Sequence, residues 1–205
     1  RPRLQTRQPR IPPIEEIDVD AMVARYAHER ERRLRSGGAA DYVPPKGGKL
    51  PDYVIDPHID PVPREPIVRE IDVAVLGAGF GGVLAAYYLM KQRVEDFVLL
   101  DTAGDFGGVW YWNRYPGVQC DNDAYCYLPM LEETGFVPTK KFSDGIEIQE
   151  HCQRVARQYG LYESALFHTL VRSLKWDEAA QRWMIETNRG DSIRARFVIM
   201  CGGPL

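Results

Sequence analysis

Cysteine is scarce in this chain. Its 205 residues hold four, Cys120, Cys126, Cys152 and Cys201. None forms a CxxC pair and the four histidines do not cluster with them, so no metal site is expected. Scattered free thiols fit a reducing compartment, and a cytoplasmic location is the expectation. Long apolar runs are missing too. Nothing approaches the roughly 20 residues that a membrane-spanning helix needs, and no signal peptide is visible. Neither sign of charge dominates: 26 basic against 29 acidic residues leave a net charge of −3. Nucleic acid and membrane surfaces are therefore not expected partners. What remains, 44% hydrophobic and 27% charged, is the composition of a soluble globular protein, long enough for one domain with an extension.

Proline is unevenly spread. Eleven of the fifteen prolines fall before Ile67, so residues 1–66 read as an N-terminal extension and residues 67–205 as a domain. The first ten residues carry four arginines and no acid, which reads as a solvated arm. One helix is predicted in the extension, from about Asp20 to Arg35, capped by Asp18 or Asp20 and ended by Gly37-Gly38. Its side bearing Met22, Val23, Tyr26 and Leu34 is expected to pack on the domain. From Asp41 to Pro66 the prolines suggest an extended strap.

The domain is organised around Ile71–Asp101. A short apolar run, Val73–Leu76, meets Gly77-Ala78-Gly79-Phe80-Gly81-Gly82. A helical pattern follows, then a second run, Phe97–Leu100, closed by Asp101. Strand, glycine turn, helix, strand and acid make a βαβ dinucleotide unit. Gly77 permits the sharp turn, Gly79 lets backbone approach a diphosphate, and Gly82 allows close helix–strand packing. The helix N-terminus favours an anion. Asp101 suits a ribose 2′-OH and would repel a 2′-phosphate, which disfavours NADP here. The motif alone does not choose between FAD and NAD.

Further on, Asp144 with Glu147 forms a possible capping box for a helix to about Tyr159. Ala165–Leu170 reads as a strand beside the first two. Val171–Trp176 and Arg182–Thr187 read as a hairpin, with a turn at Asn188–Asp191. Phe197–Cys201, apolar on both faces, reads as a central parallel strand. The fold class is thus α/β, a Rossmann-like domain with a parallel central sheet and an antiparallel β-meander.

The run Asp105-Phe106-Gly107-Gly108-Val109-Trp110-Tyr111-Trp112-Asn113-Arg114-Tyr115-Pro116-Gly117-Val118-Gln119-Cys120-Asp121 is the most informative. A double glycine lets backbone close on a flat ring or a phosphate. Trp110, Trp112 and Tyr115 suit a cofactor wall, although a buried aromatic core loop fits as well. Two tryptophans after a ribose acid tilt the reading to flavin.

Here the sequence resembles the Baeyer–Villiger monooxygenases, FAD- and NADPH-dependent flavoproteins. GAGFGG, GDFGGVWYWNRYPGVQCD and RARFVIMCGGPL stand in that family's order, and the resemblance covers about Ile71 to Leu205. YLPMLEETGFVPTKKFS and the long extension look like the subgroup acting on large cyclic ketones and steroids. The resemblance implies that Gly77, Gly79, Phe80 and Gly82 hold the FAD diphosphate and Asp101 its ribose. Gly108, Val109, Trp110 and Trp112 would lie along the flavin, with Tyr127 near the cofactor. Val171 would meet the adenine through its backbone, and Gly203 would approach FAD. Asp121 matches an aspartate that pairs with an active-site arginine lying outside this chain. Gln119 stands where many members have Arg, and Cys201-Gly202-Gly203 replaces the usual Ala-Thr-Gly. The implied reaction uses NADPH and O₂ to turn a ketone into an ester or lactone through a flavin peroxide. An N- or S-oxidising relative and a non-catalytic FAD-binding module are the competing expectations. The family signature FxGxxxHxxxW and a second GxGxxG are not among these residues. The chain therefore reads as part of a longer polypeptide whose remainder, with an NADPH domain, is its partner.

Overall fold

A computed structural model of the protein describes residues 17–34 and 55–203. The chain divides into two units, Arg1–Asp52 and Tyr53–Leu205. In the first, helix α1 spans Val19–Arg33, and Asp18 caps it by accepting a hydrogen bond from the Ala21 N–H at 2.9 Å. The helix buries none of its residues: Met22, Val23 and Tyr26 are all exposed. The expected Gly37-Gly38 stop and residues 41–54 of the strap lie outside the described residues.

The second unit is a six-stranded mixed sheet in the order β3-β2-β1-β6-β5-β4. In chain order come β1 (Val68–Leu76), α2 (Phe80–Lys91), β2 (Phe97–Leu100), α3 (Val109–Trp112), α4 (Ala124–Tyr127), α5 (Leu131–Thr134) and α6 (Gly145–Gln158). Then follow β3 (Ala165–Leu166), β4 (Val171–Asp177), β5 (Arg182–Thr187) and β6 (Ser192–Met200). β1 pairs in parallel with β2 and β6, and β2 with β3; β5 joins β6 and β4 antiparallel. Successive residues of β1 and β2 point to opposite faces, and both faces are covered, so the runs are apolar throughout. Val73, Val75, Phe97 and Leu99 meet Val83 and Ala86 of α2 and Cys152, Val155 and Ala156 of α6. Ala74, Leu76, Val98 and Leu100 meet Ile185, Ile193 and Ala195 of the meander. Among the described residues no helix is long and apolar enough to cross a membrane.

Three expectations need correction. Only Ala165–Leu166 is a strand, and it lies beside β2 alone. At His168 (φ +50°) the chain turns off, and the His168 and Thr169 N–H groups donate to the carbonyls of Ala103 and Asp101. The capping box at α6 does not form. Asp144 occupies the N-cap position without a capping bond and instead pairs with Lys140 and Gln119, while Glu147 accepts from the Thr139 N–H. The second half of β6 is not enclosed: Phe197 and Met200 are exposed. β5 pairs with β6 only as far as Ala195, so beyond it β1 is the one strand alongside among the described residues.

Candidate functional site

Three loops meet at the carboxyl ends of β1, β2 and β6. β1 lies between β2 and β6, so the connections leave it in opposite directions. In α/β sheets the ligand crevice opens at such a point. Gly77 (φ +122°) donates to the Leu100 carbonyl at 2.8 Å, and a Cβ on it would stand 2.3 Å from the Cys201 carbonyl oxygen. A Cβ on Gly82 would stand 1.9 Å from the Gly77 carbonyl oxygen. No side chain fits at either position, so the turn and the helix can only come together as glycines. α2 starts on extended Gly79 with no side-chain cap and no acid in its first turn. Its first N–H groups therefore face the crevice without a side-chain acceptor, at the positive end of the helix dipole.

The second glycine loop is laid edge to edge on the first. Gly107 (φ +144°) donates to the Ala78 carbonyl at 3.1 Å. A Cβ on Gly108 would lie 2.8 Å from the Gly79 Cα, and one on Gly79 3.2 Å from the Gly108 Cα. Two bare backbones thus form one wall. Val109 begins α3 there. Trp110 donates from Nε1 to the Tyr127 hydroxyl at 2.8 Å, and Phe80 meets the Tyr127 ring edge-on with centroids 6.2 Å apart. Burial pushes the Tyr127 phenol above its usual range. Trp110 also packs against Gly145 at the head of α6 and joins the core of Ala124, Leu128 and Ile148. Trp110 is therefore both core and wall. Trp112 is half-buried, edge-on to Tyr111, whereas Tyr115 is exposed.

Asp101 sits where the two loops join. Its carboxylate accepts from the Ala78 N–H at 2.6 Å and the Ala103 N–H at 2.8 Å. Each oxygen keeps a lone pair for a further donor. Asp121 is exposed on the bend before α4, and Gly203 (φ +71°) is exposed after β6. Val171 heads β4 and packs in the core on the other sheet face. Gly77, Gly79, Gly82, Gly108 and Asp101 are thus brought together. Phe80, Trp110 and Tyr127 form an adjoining aromatic group, and Val171 lies apart in the meander core.

Sequence reasoning missed a buried polar cluster behind the second loop. Asp56, from the strap, accepts from the N–H groups of His58 and Ile59 on Oδ1. Its Oδ2 accepts from the Gly104 N–H at 2.8 Å, the Tyr111 hydroxyl and the His168 Nε2 at 3.0 Å. That Nε2 also lies 3.0 Å from the Ile59 carbonyl, so it carries the proton. Burial works to raise the Asp56 pKa, but the bonds from Tyr111, His58, Ile59 and His168 outweigh it and hold the carboxyl below its ordinary value. Burial and the same bond push the Tyr111 phenol well above its usual range. The one local signal was Gly104. Its φ is unremarkable, yet a Cβ there would lie 2.7 Å from the Ile59 Cβ and 2.8 Å from Asp56 Oδ2.

Residues 75–134 match the NAD(P)-binding Rossmann-like domain family. Baeyer-Villiger monooxygenase 4 of Dietzia sp. is 51% identical over 194 residues, covering 93% of this chain and 31% of the relative. Neopentalenolactone D synthase of Streptomyces avermitilis is 45% identical over 190 residues, covering 92% and 32%. Among solved structures, the polycyclic ketone monooxygenase of the thermophilic fungus Thermothelomyces thermophila superposes with a TM-score of 0.80 at 32% identity, covering 92% of this chain and 33% of that one. A steroid monooxygenase bound to NADP gives 0.63 at 35% identity, covering 66% and 26%. The chain spans about a third of the length of the relatives it matches.

Proposed function

We propose that this chain is the FAD-binding part of a Baeyer–Villiger monooxygenase. Its relatives include a Baeyer-Villiger monooxygenase, a neopentalenolactone D synthase and a polycyclic ketone monooxygenase, and they are about three times its length. The observation that carries the reading is the mutual approach of Gly79 and Gly108, which leaves no room for a side chain on Gly108 and little on Gly79, beside an uncapped helix N-terminus. That geometry suits a diphosphate lying across α2, and it leaves the crevice free for a flat ring. Bound FAD would supply the redox chemistry, with NADPH as reductant and O₂ and a ketone as substrates. The chain's own residues bind and orient. The first-turn N–H groups of α2 take the diphosphate. Asp101 accepts from a ribose hydroxyl while holding Ala78 in place. Phe80, Trp110 and Tyr127 back the loops, with Val109 and Trp112 along the flavin side and Gly203 closing from β6. Val171, its side chain in the core, meets the adenine end through its backbone. Asp121, exposed on the bend before α4, orients a cation supplied by the rest of the polypeptide. The ketone is large and cyclic or steroid-like, as in the polycyclic ketone and steroid monooxygenases that share this fold.

The test uses the full-length protein. It is expected to be yellow and to consume NADPH with a polycyclic ketone, giving a product heavier by one oxygen. Gly79→Val is expected to lose FAD, because the added side chain meets Gly108 and the diphosphate path. A Gly79→Val protein that keeps its flavin would show that the phosphate turn lies elsewhere. Oxidation of amines or sulfides but no ketone would move the protein to another branch of flavin monooxygenases.

A further inference from the structure

We propose that Asp56 is a positioning residue for the dinucleotide crevice, pinning the second glycine loop from the N-terminal strap. The inference rests on the FAD reading of that crevice and assigns a role to a segment which that reading leaves unused.

The path from Asp56 to the crevice is short and contiguous. The Asp56 side chain is 2% exposed, so its charge has to be met by protein donors. Three of its five donors come from elsewhere in the fold: Gly104 opens the second loop, Tyr111 lies in α3, and His168 follows β3. Tyr111 is fully buried, and its ring is held from two further sides, by His58 edge-on at 5.5 Å and by the Arg114 guanidinium at 4.6 Å. The Tyr111 N–H donates to the Gly108 carbonyl at 3.0 Å, and the space a Gly107 side chain would need is filled by the Tyr111 Cβ at 3.1 Å. Gly108 in turn meets Gly79. A shift of the Tyr111 hydroxyl therefore moves the wall of the crevice. Gly104 shows how closely the strap is seated, since Ile59, Asp56 and His168 all lie within 3 Å of where its side chain would begin. The same strap has a second anchor, Arg64 on Asp191 and on the Thr169 hydroxyl, which touches neither glycine loop. That anchor is the internal control for mere docking of the strap.

The experiment compares full-length Asp56→Ala, Tyr111→Phe, His168→Gln and Arg64→Ala with the parent. FAD affinity is read by titrating apoprotein, and the ring environment by visible circular dichroism of the bound flavin. Asp56→Ala is expected to weaken FAD binding about tenfold or more and to alter the flavin dichroism, since the two charge-assisted bonds to the second loop and α3, from Gly104 and Tyr111, are lost. Tyr111→Phe, which removes one hydroxyl and little volume, is expected to weaken it severalfold. His168→Gln keeps a nitrogen donor and is expected to bind as the parent does. Arg64→Ala is expected to lower the melting temperature and leave both FAD readouts unchanged. Should Asp56→Ala fail to fold, Tyr111→Phe against Arg64→Ala decides. The proposal falls if Tyr111→Phe binds FAD like the parent with the same dichroism, or if Arg64→Ala weakens FAD as much as the Asp56 variant does. A parent protein with no FAD affinity would instead overturn the site reading, and the proposal with it.

Discussion

The described part of the strap is fastened at two points with the charges reversed. At one end the strap supplies the carboxylate, Asp56, and the domain supplies the donors. At the other the strap supplies the guanidinium, Arg64, and the domain the carboxylate, Asp191, in a two-pronged pair with both contacts at 2.6 Å. Asp191 also accepts from the Thr187 hydroxyl and the Ile67 N–H, and Arg189 reaches back to the Val62 carbonyl. Both ends bury an ion, and both meet it with several hydrogen bonds. They differ in what lies behind them. Behind the Arg64 end are the turn between β5 and β6 and, through the Thr169 hydroxyl, the segment after β3, whereas behind Asp56 are α3 and the glycine loop. Similar bonding thus has unequal consequence, and the contrast separates a brace from a positioning contact.

Three measurements sharpen that contrast at the Arg64 end. The largest effect is expected from Arg64→Ala, which leaves Asp191 buried without its cation and costs about 3 kcal/mol of stability by thermal or urea unfolding. Next comes acid. The Arg64 bond comes first among the causes that hold the Asp191 carboxyl at about 2 against an ordinary 3.8. A depressed carboxyl stabilises the fold in full above its ordinary value, and that contribution is lost as pH falls through the folded one. Unfolding free energy is therefore expected to drop by about 2 kcal/mol between roughly pH 5 and pH 2 from this group, with a flatter profile in Arg64→Ala. The smallest effect is expected from Thr187→Val, which removes one hydroxyl and costs about 1 kcal/mol. FAD affinity should stay level in both variants at pH 7; if it fell with stability, the two ends would not differ in kind.

The sheet and its glycine turns were legible in the sequence because their causes are local. Val73–Leu76 and Phe97–Leu100 are apolar at every position, as strands covered on both faces must be, and Gly77 and Gly82 stand in a fixed rhythm set by packing. The clamp was not legible. Asp56 lies 48, 55 and 112 positions from Gly104, Tyr111 and His168, and one of several acids among prolines, between Asp52 and Asp60, looks like any solvated loop residue. Tyr111 was hidden by its neighbours, since the eye goes to Trp110 and Trp112 while the residue between them is the fully buried one. Capping failed as a guide at Asp144 for a related reason: Lys140 and Gln119 compete for its carboxylate, and neither was visible from helix signals alone.

The separation of these partners along the chain also sets an order of events. Arg64 waits 127 positions for Asp191 and Asp56 waits 112 for His168, so a polypeptide leaving the ribosome carries a partly unfastened strap until its meander has emerged. Closing such distant contacts comes late in folding. The Arg64 anchor is therefore among the last contacts to set, because a nascent chain that has not reached Asp191 lacks its carboxylate, whereas the partners of Asp56 are complete once His168 has emerged.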